Sequence, residues 1–455
     1  MHPLFECVRS AIEGDIGSMV EDGYDREELI RELESVAAKG SVDALLAFEQ
    51  DLWSRPSRQP YDEPNDWESI SRTFPDGQAH ARFAGTKQDL LDRIHGAWLG
   101  RVAGCQLGKP LEMAWPEETR RTLEACDSWP LDDYIKPIDD PARIARLQAI
   151  DGYGKRAVNA RSLARGHFRG AAVDDDTTYS VAGLCVLEKH GIHFTSDQAS
   201  DVLVNMCPRS QLACAGLNMF MRRMWGMRAP DTARFGNWCR QSLGAMIRCD
   251  PFGWASPANP ALAARMAYED ARGSQTRNGI YSGIFFAVLM ADIVAHSNVT
   301  RAIDTALAYV PSKSRFAEMV RFTLDLCRRE SDWERANDAI YRTYDKGFTR
   351  GSGVMGNHAI PNAAIVLMSL LQAGGDFSRA ICIATMAGMD TDCNAATAGS
   401  IMGLAVGAGG IDRRWTEPLD DTLHTQLVDH HVVRISDLAR RTWQIADGNC
   451  RYAHG

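Results

Sequence analysis

Twelve cysteines are present, yet no two are spaced Cys-x-x-Cys. They sit mostly in apolar helical patterns such as Leu184-Cys185-Val186, which excludes a zinc knuckle, a thioredoxin-like motif and a disulfide framework. Excess positive charge is missing as well. Lys and Arg number 50 against 59 Asp and Glu, a net charge of −9, so no basic field exists to displace counterions from a phosphate backbone and a generic nucleic-acid binder is excluded. The longest apolar run, Ile280 to Val294, is interrupted by Ser282 and Asp292 and is too short to span a bilayer. The opening residues Met1-His2-Pro3-Leu4-Phe5-Glu6 show no basic region followed by an apolar core, so a cytoplasmic chain without a membrane partner is expected. Strand-type alternation is almost absent.

What is present is a globular composition, 45% apolar and 24% charged over 455 residues, enough for one large or two ordinary domains. The negative charge is unevenly placed. Residues 1–85 hold 18 acids and 8 bases, a net of −10, which leaves the rest of the chain near neutrality. Residues 1–55 carry helical spacing, with Leu29, Leu33 and Val36 on one stripe and Glu27/Arg31 as an i, i+4 pair. Residues 54–80 are rich in Pro and polar residues and read as a linker. The chain therefore divides into an acidic helical extension with its linker, 1–85, and a main domain, 86–455. The extension is a candidate dimerisation arm, partner-binding helix or cover.

The main domain opens on Thr86-Lys87-Gln88-Asp89, an N-cap signal with an acid three residues on. Helical spacing then recurs over about 174–190, 197–206, 209–224, 259–273, 280–296, 299–309, 314–328, 333–344, 358–373, 376–387 and 391–407. An all-α fold is expected. The segment 113–170, with several Pro, Gly and Arg residues, is expected to be a long irregular insertion of the kind that forms lids or binding loops.

Carboxylates concentrate without nearby bases in two places, Asp174-Asp175-Asp176-Thr177 and Asp390-Thr391-Asp392-Cys393-Asn394-Ala395, each directly before a helix. One Asp suffices to cap a helix. Three adjacent acids repel one another unless a hard cation with oxygen ligands, such as Mg²⁺, offsets them. A third element is the row Gly96, Gly100, Gly104 and Gly108, which keeps one helix face bare for close packing and ends in Lys109-Pro110-Leu111-Glu112. Of the histidines, only His358 in Gly353-Val354-Met355-Gly356-Asn357-His358 is a pocket candidate; His95, His167, His193 and His430-His431 show no ligand spacing.

Taken in order, these elements resemble the ADP-ribosylglycohydrolase family. Gly104-Cys105-Gln106-Leu107-Gly108 is similar to its Gly-Asp-Ala-Leu-Gly-like turn, with Glu112 four residues past the last Gly. Asp174-Asp175-Asp176-Thr177 resembles its Thr-Asp-Asp-Thr motif, and Asp390 to Ala395 its Asp-x-Asp-Thr/Ser-x-Ala motif. A weaker match runs from Gly244 to Pro251. The likeness covers about 86–410. It implies an orthogonally packed all-α fold with a dinuclear Mg²⁺ site, ligated by Asp175, Asp176, Asp390 and Asp392, with Asp174 standing where the family has a Thr. It further implies Glu112 as the acid on the loop near the scissile bond, so Glu112, Asp176 and Asp392 are the catalytic candidates. Gly244, Arg248, Asn278 and His358 are the substrate-binding candidates.

The implied reaction hydrolyses the N-glycosidic bond at C1″ of a ribose, usually between ADP-ribose and an acceptor. Three departures bear on it. Cys393 replaces a hydroxyl ligand by a soft thiol, unsuited to Mg²⁺, which puts the second metal in question. Cys105 replaces an Asp, and Leu243 stands where the family's diphosphate loop has Asn. Three readings therefore stand open: hydrolysis of an ADP-ribosylated acceptor, hydrolysis of a small ribosylated or NAD-derived metabolite, and a non-catalytic member comparable to the J1-type crystallins.

Overall fold

The computed structural model describes residues 3–75, 82–150, 157–348 and 356–453. Its extension folds as α1 (Pro3–Glu21), α2 (Arg26–Ala37) and α3 (Val42–Ser54). Asp25 and Ser41 accept hydrogen bonds at the N-termini of α2 and α3, as N-caps do. These helices bury their own small apolar core, including Ile12, Ile16, Leu33 and Leu45, separate from the main one.

Among the described residues of the main domain the secondary structure is helical, apart from one short antiparallel pair, β1 (Thr422–His424) and β2 (Val432–Arg434). The helices that frame the site are α4 (Lys87–Gly108), α5 (Asp175–His190), α6 (Cys214–Met224), α7 (Asn278–His296), α8 (Ala359–Gln372), α9 (Phe377–Met386), α10 (Thr391–Val406) and α11 (Ile435–Asn449). The expected capping box at Thr86 and Asp89 forms in full. Helix α7 has the length and apolar composition that cross a bilayer, but 89% of its most apolar window is buried among the other helices, as in the core of a globular domain.

The glycine row decides how the centre packs. Helices α4 and α10 run antiparallel with their backbones in contact. A Cβ on Gly96, Gly100, Gly104 or Gly108 would fall 2.4, 2.0, 2.0 and 2.3 Å from the carbonyl oxygens of Gly403, Gly399, Ala395 and Thr391. No side chain fits in that seam. Its last rung brings the C-terminal end of α4 onto the N-terminal end of α10, where Thr391 Oγ1 donates to the Gly108 carbonyl at 2.8 Å.

The segment 113–170 departs from expectation. It contains helices Pro116–Ala125 and Pro141–Gln148, and Leu123, Tyr134, Ile135 and Ile138 join the main core. Pro116 and Pro141 open these helices, as Pro at the first helical position does, while Pro130 and Pro137, which suggested irregularity, lie in the non-helical stretch between them. The 54–80 linker likewise holds a short helix, Trp67–Ser71.

The extension lies on the main domain through paired charges. Asp15 meets Arg240 at 3.3 Å, Asp22 pairs with Arg277, and Glu63 grips Arg315 at 2.6 Å. Glu21 accepts from Gln241 and lies 3.6 Å from His358. The acids of these contacts are all from the extension and its linker and the bases all from the main domain, so part of the uneven charge of the sequence is met across this joint.

Candidate active site

The two acid motifs and the turn that follows the glycine row meet at one cavity of about 240 Å³. Its wall includes Glu112, Asp175, Asp390 and Asp392, together with Tyr179, Cys214, Leu243, Gly244 and Arg248. The α4–α10 seam delivers two of these groups. Past the end of α4 the chain turns through Lys109–Leu111, and Ala114 accepts the Met389 amide at 2.7 Å. That bridge sets Glu112 beside Asp390. Carboxylate oxygens of Glu112, Asp390 and Asp392 fall within 4.8 Å of one another, as do those of Asp174, Asp175 and Asp176.

The acids divide by how they are held. Asp174 caps α5 by accepting from the Asp176 amide at 2.9 Å, and its other oxygen is paired with Lys109. Asp176 is buried and gripped from behind: Arg101 donates to its Oδ1 at 3.0 Å, and the Cys393 thiol donates to its Oδ2 at 3.0 Å. Arg101 is itself fully buried and also holds Asp250 at 3.1 Å. Asp175, Asp390 and Asp392 face the cavity instead, and Asp392 Oδ1 is buried with no hydrogen-bond partner.

Electrostatics lifts acids on both sides of that division. Burial, reinforced by the neighbouring Asp174, pushes Asp175 and Asp392 well above the usual carboxylate range. Burial likewise lifts Asp176, against the pull of Arg101, and brings Asp390 up to about 6. Burial works against the Lys109 ammonium, but Asp174, Cys105 and Asp392 around it together outweigh that and raise it. Asp174 and Asp176 have Lys109 and Arg101 as cationic partners, so the uncompensated acids lie on the cavity side, where a cation with oxygen ligands relieves them. The orphaned Asp392 oxygen is the donor such an ion would take, so these residues fit a divalent metal.

Cys393 has a different part from the one its position suggested. Burial and the surrounding aspartates push its thiol up, so it stays protonated and works as a hydrogen-bond donor to Asp176.

The substrate-binding candidates separate. Gly244 and Arg248 line the cavity, Arg248 with its guanidinium on Asp270 at 2.9 Å and Ser274 at 2.8 Å. Asn278 and His358 do not. Asn278 is spent on Gln241, Glu63 and the Phe316 amide. His358 Nδ1 accepts from the Ile360 amide at the start of α8, and the ring is buried toward Glu21. Both belong to the joint between extension and main domain. Sequence reasoning missed Arg101 and Lys109, whose partners are 65 or more residues away, and Cys214, which no local pattern marks.

Residues 86–450 match the family model for ADP-ribosylglycohydrolases. The chain belongs to that family, and with it to the glycosidic hydrolases acting on ADP-ribose linkages. The extension lies outside the matched residues. A solved structure described as an ADP-ribosylglycohydrolase-related protein complex is similar at 17% identity and a TM-score of 0.44, over 79% of this chain and 99% of that one. No curated protein matches the chain significantly.

Proposed function

We propose that the protein hydrolyses the C1″ N-glycosidic bond of an ADP-ribosylated acceptor with the help of Mg²⁺. One observation carries this reading: Asp392 lines the cavity with a buried oxygen that has no partner, beside three more carboxylates, while the one lining base, Arg248, is paired with Asp270. Asp175, Asp390, Asp392 and Glu112 would hold the metal, with Asp174 and Asp176 steadied behind them by Lys109 and Arg101. Bound there, Mg²⁺ supplies Lewis-acid polarisation and a more acidic water. The number of ions is left open by the commitment of Asp176 to Arg101 and Cys393.

The chain's own groups do the rest. Cleavage at a ribose C1″ develops positive charge on the sugar, and an acid-lined wall stabilises it. Glu112, on the turn after α4, is placed to take a proton from the attacking water or to give one to the departing acceptor. Burial of the acids keeps bulk water from screening these interactions.

A second reading is favoured by one feature of the cavity. About 240 Å³ is below the roughly 300–1,000 Å³ of pockets that engulf a drug-sized ligand, and Leu243 lines it where the family's diphosphate loop has Asn. A compact ribosylated metabolite fits that space better than a whole ADP-ribose. Release of ADP-ribose from ADP-ribosylated arginine and serine peptides, measured with Mg²⁺ and with chelator, separates the readings. Turnover that needs Mg²⁺ and falls by about 10²-fold or more in Asp392→Asn supports the acceptor reading. Turnover only on small ribosylated compounds moves the assignment to the second reading. Absence of metal uptake together with no turnover on either class overturns both.

A further inference from the structure

One pair of nucleophilic side chains at the cavity has no part in hydrolysis. Cys214 lines the cavity wall as the first residue of α6, whose N-terminal amides have no side-chain cap. Its backbone is in the left-handed region, φ +46°, unusual for any residue but Gly, Asn or Asp. Its half-buried sulfur accepts from Asn357 Nδ2 at 3.0 Å and lies within hydrogen-bonding reach of the Cys239 thiol. Cys239 is 1% exposed. The Cys239 and Asn357 donors bring the Cys214 thiol below its ordinary range, whereas burial lifts Cys105, Cys249 and Cys393 well above it.

The geometry points to Cys214 as a peroxide-sensitive thiol of the cavity wall, with Cys239 as the partner that closes onto it as a disulfide. The Cys214 thiolate attacks one peroxide oxygen, so that an S–O bond forms, the O–O bond breaks and hydroxide leaves. Cys239 then gives up its proton and attacks the Cys214 sulfur. The S–S bond forms, the S–O bond breaks, and the second hydroxide leaves as water with that proton. Two thiols and one peroxide give one disulfide and two waters. The bond ties α6 to the segment that continues through Ser242, Leu243 and Gly244, three other residues of the cavity wall, so oxidation would fix the shape of the substrate side. This inference does not depend on the hydrolase reading.

The test is a titration of the full chain with hydrogen peroxide, followed by blocking with iodoacetamide under denaturing conditions and peptide mass spectrometry. The expected result is a dithiothreitol-reversible Cys214–Cys239 linked peptide at the lowest effective dose. Iodoacetamide is expected to alkylate Cys214 in the native protein at least about tenfold faster than Cys239. In Cys239→Ser the expected product is a Cys214 sulfenic acid trapped by a 1,3-dione. Oxidation confined to other cysteines, such as the exposed Cys7, with Cys214 and Cys239 both still alkylated, would overturn the proposal. So would the absence of any trapped adduct at Cys214 in folded Cys239→Ser.

Discussion

Two joints hold this molecule together, and they are built from opposite materials. The α4–α10 joint is backbone against backbone, with nothing larger than a hydrogen atom allowed at four successive rungs of α4. The joint between extension and main domain is made of long charged side chains, Asp15, Asp22 and Glu63 against Arg240, Arg277 and Arg315. The first tolerates no change in size, and its contact energy is dispersion between close-packed atoms. The second tolerates movement, because charge attraction falls gradually with distance while a steric clash rises abruptly. The site acids hang from the first joint, so their spacing is inherited from the stiffer of the two.

That difference is broken most directly at Gly100. Gly100→Leu drives a side chain into the Gly399 carbonyl, and a loss above about 4 kcal/mol is expected, the range reserved for gross mispacking. Chemical denaturation, or absence of folded protein on expression, checks it; a mild loss would mean that the helices separate freely. Arg101→Met comes next. It leaves Asp176 and Asp250 buried without their cation, at about 3–5 kcal/mol, measured in the same way. Glu63→Gln is expected to cost about 1–3 kcal/mol, because Arg315 loses its strongest partner. The extension should become more accessible to protease while the main domain keeps its melting temperature.

A smaller effect concerns the acids themselves. Asp390, with its pKa brought up to about 6, and the more strongly raised Asp175, Asp176 and Asp392 each bind a proton more tightly folded than unfolded. A group of that kind lowers stability as pH rises past its unfolded value near about 4, and the loss is complete above its folded value. Chelator-treated protein should therefore lose stability from about pH 4 toward neutrality. Mg²⁺ should raise the melting temperature more at pH 7 than at pH 5; equal shifts would remove the cluster as the seat of the ion. Smallest of all is Arg169→Ala, which breaks an exposed pair with Asp420 and should leave the melting temperature unchanged.

Most of this was legible in the sequence wherever local pattern and packing agree. The glycine row announced a close helix contact, and the acid motifs announced helix starts that converge. Cys393 was legible as a departure but not as a donor to Asp176, because that bond joins residues 217 positions apart. Asn278 and His358 looked like pocket residues because they stand in polar segments near the aligned motifs. Their polar atoms are instead taken by main-domain partners such as Gln241, Phe316 and Ile360, together with Glu63 and Glu21 of the extension and linker, which no local spacing places. In 113–170, Pro130 and Pro137 read as loop signals and lie in irregular backbone, whereas Pro116 and Pro141 each open a helix not expected from the sequence.

The seam has a consequence for how the chain tolerates insertions. Each residue added to an α-helix turns everything beyond it by about 100°. One residue inserted between Gly96 and Gly108 would swing half the bare row out of register, and carry Lys109 and Glu112 away from Asp174 and Asp390. The four rungs thus act as a ruler read in whole turns. A loop elsewhere in the chain is free to lengthen, but the stretch from Gly96 to Glu112 can change length only by losing the site.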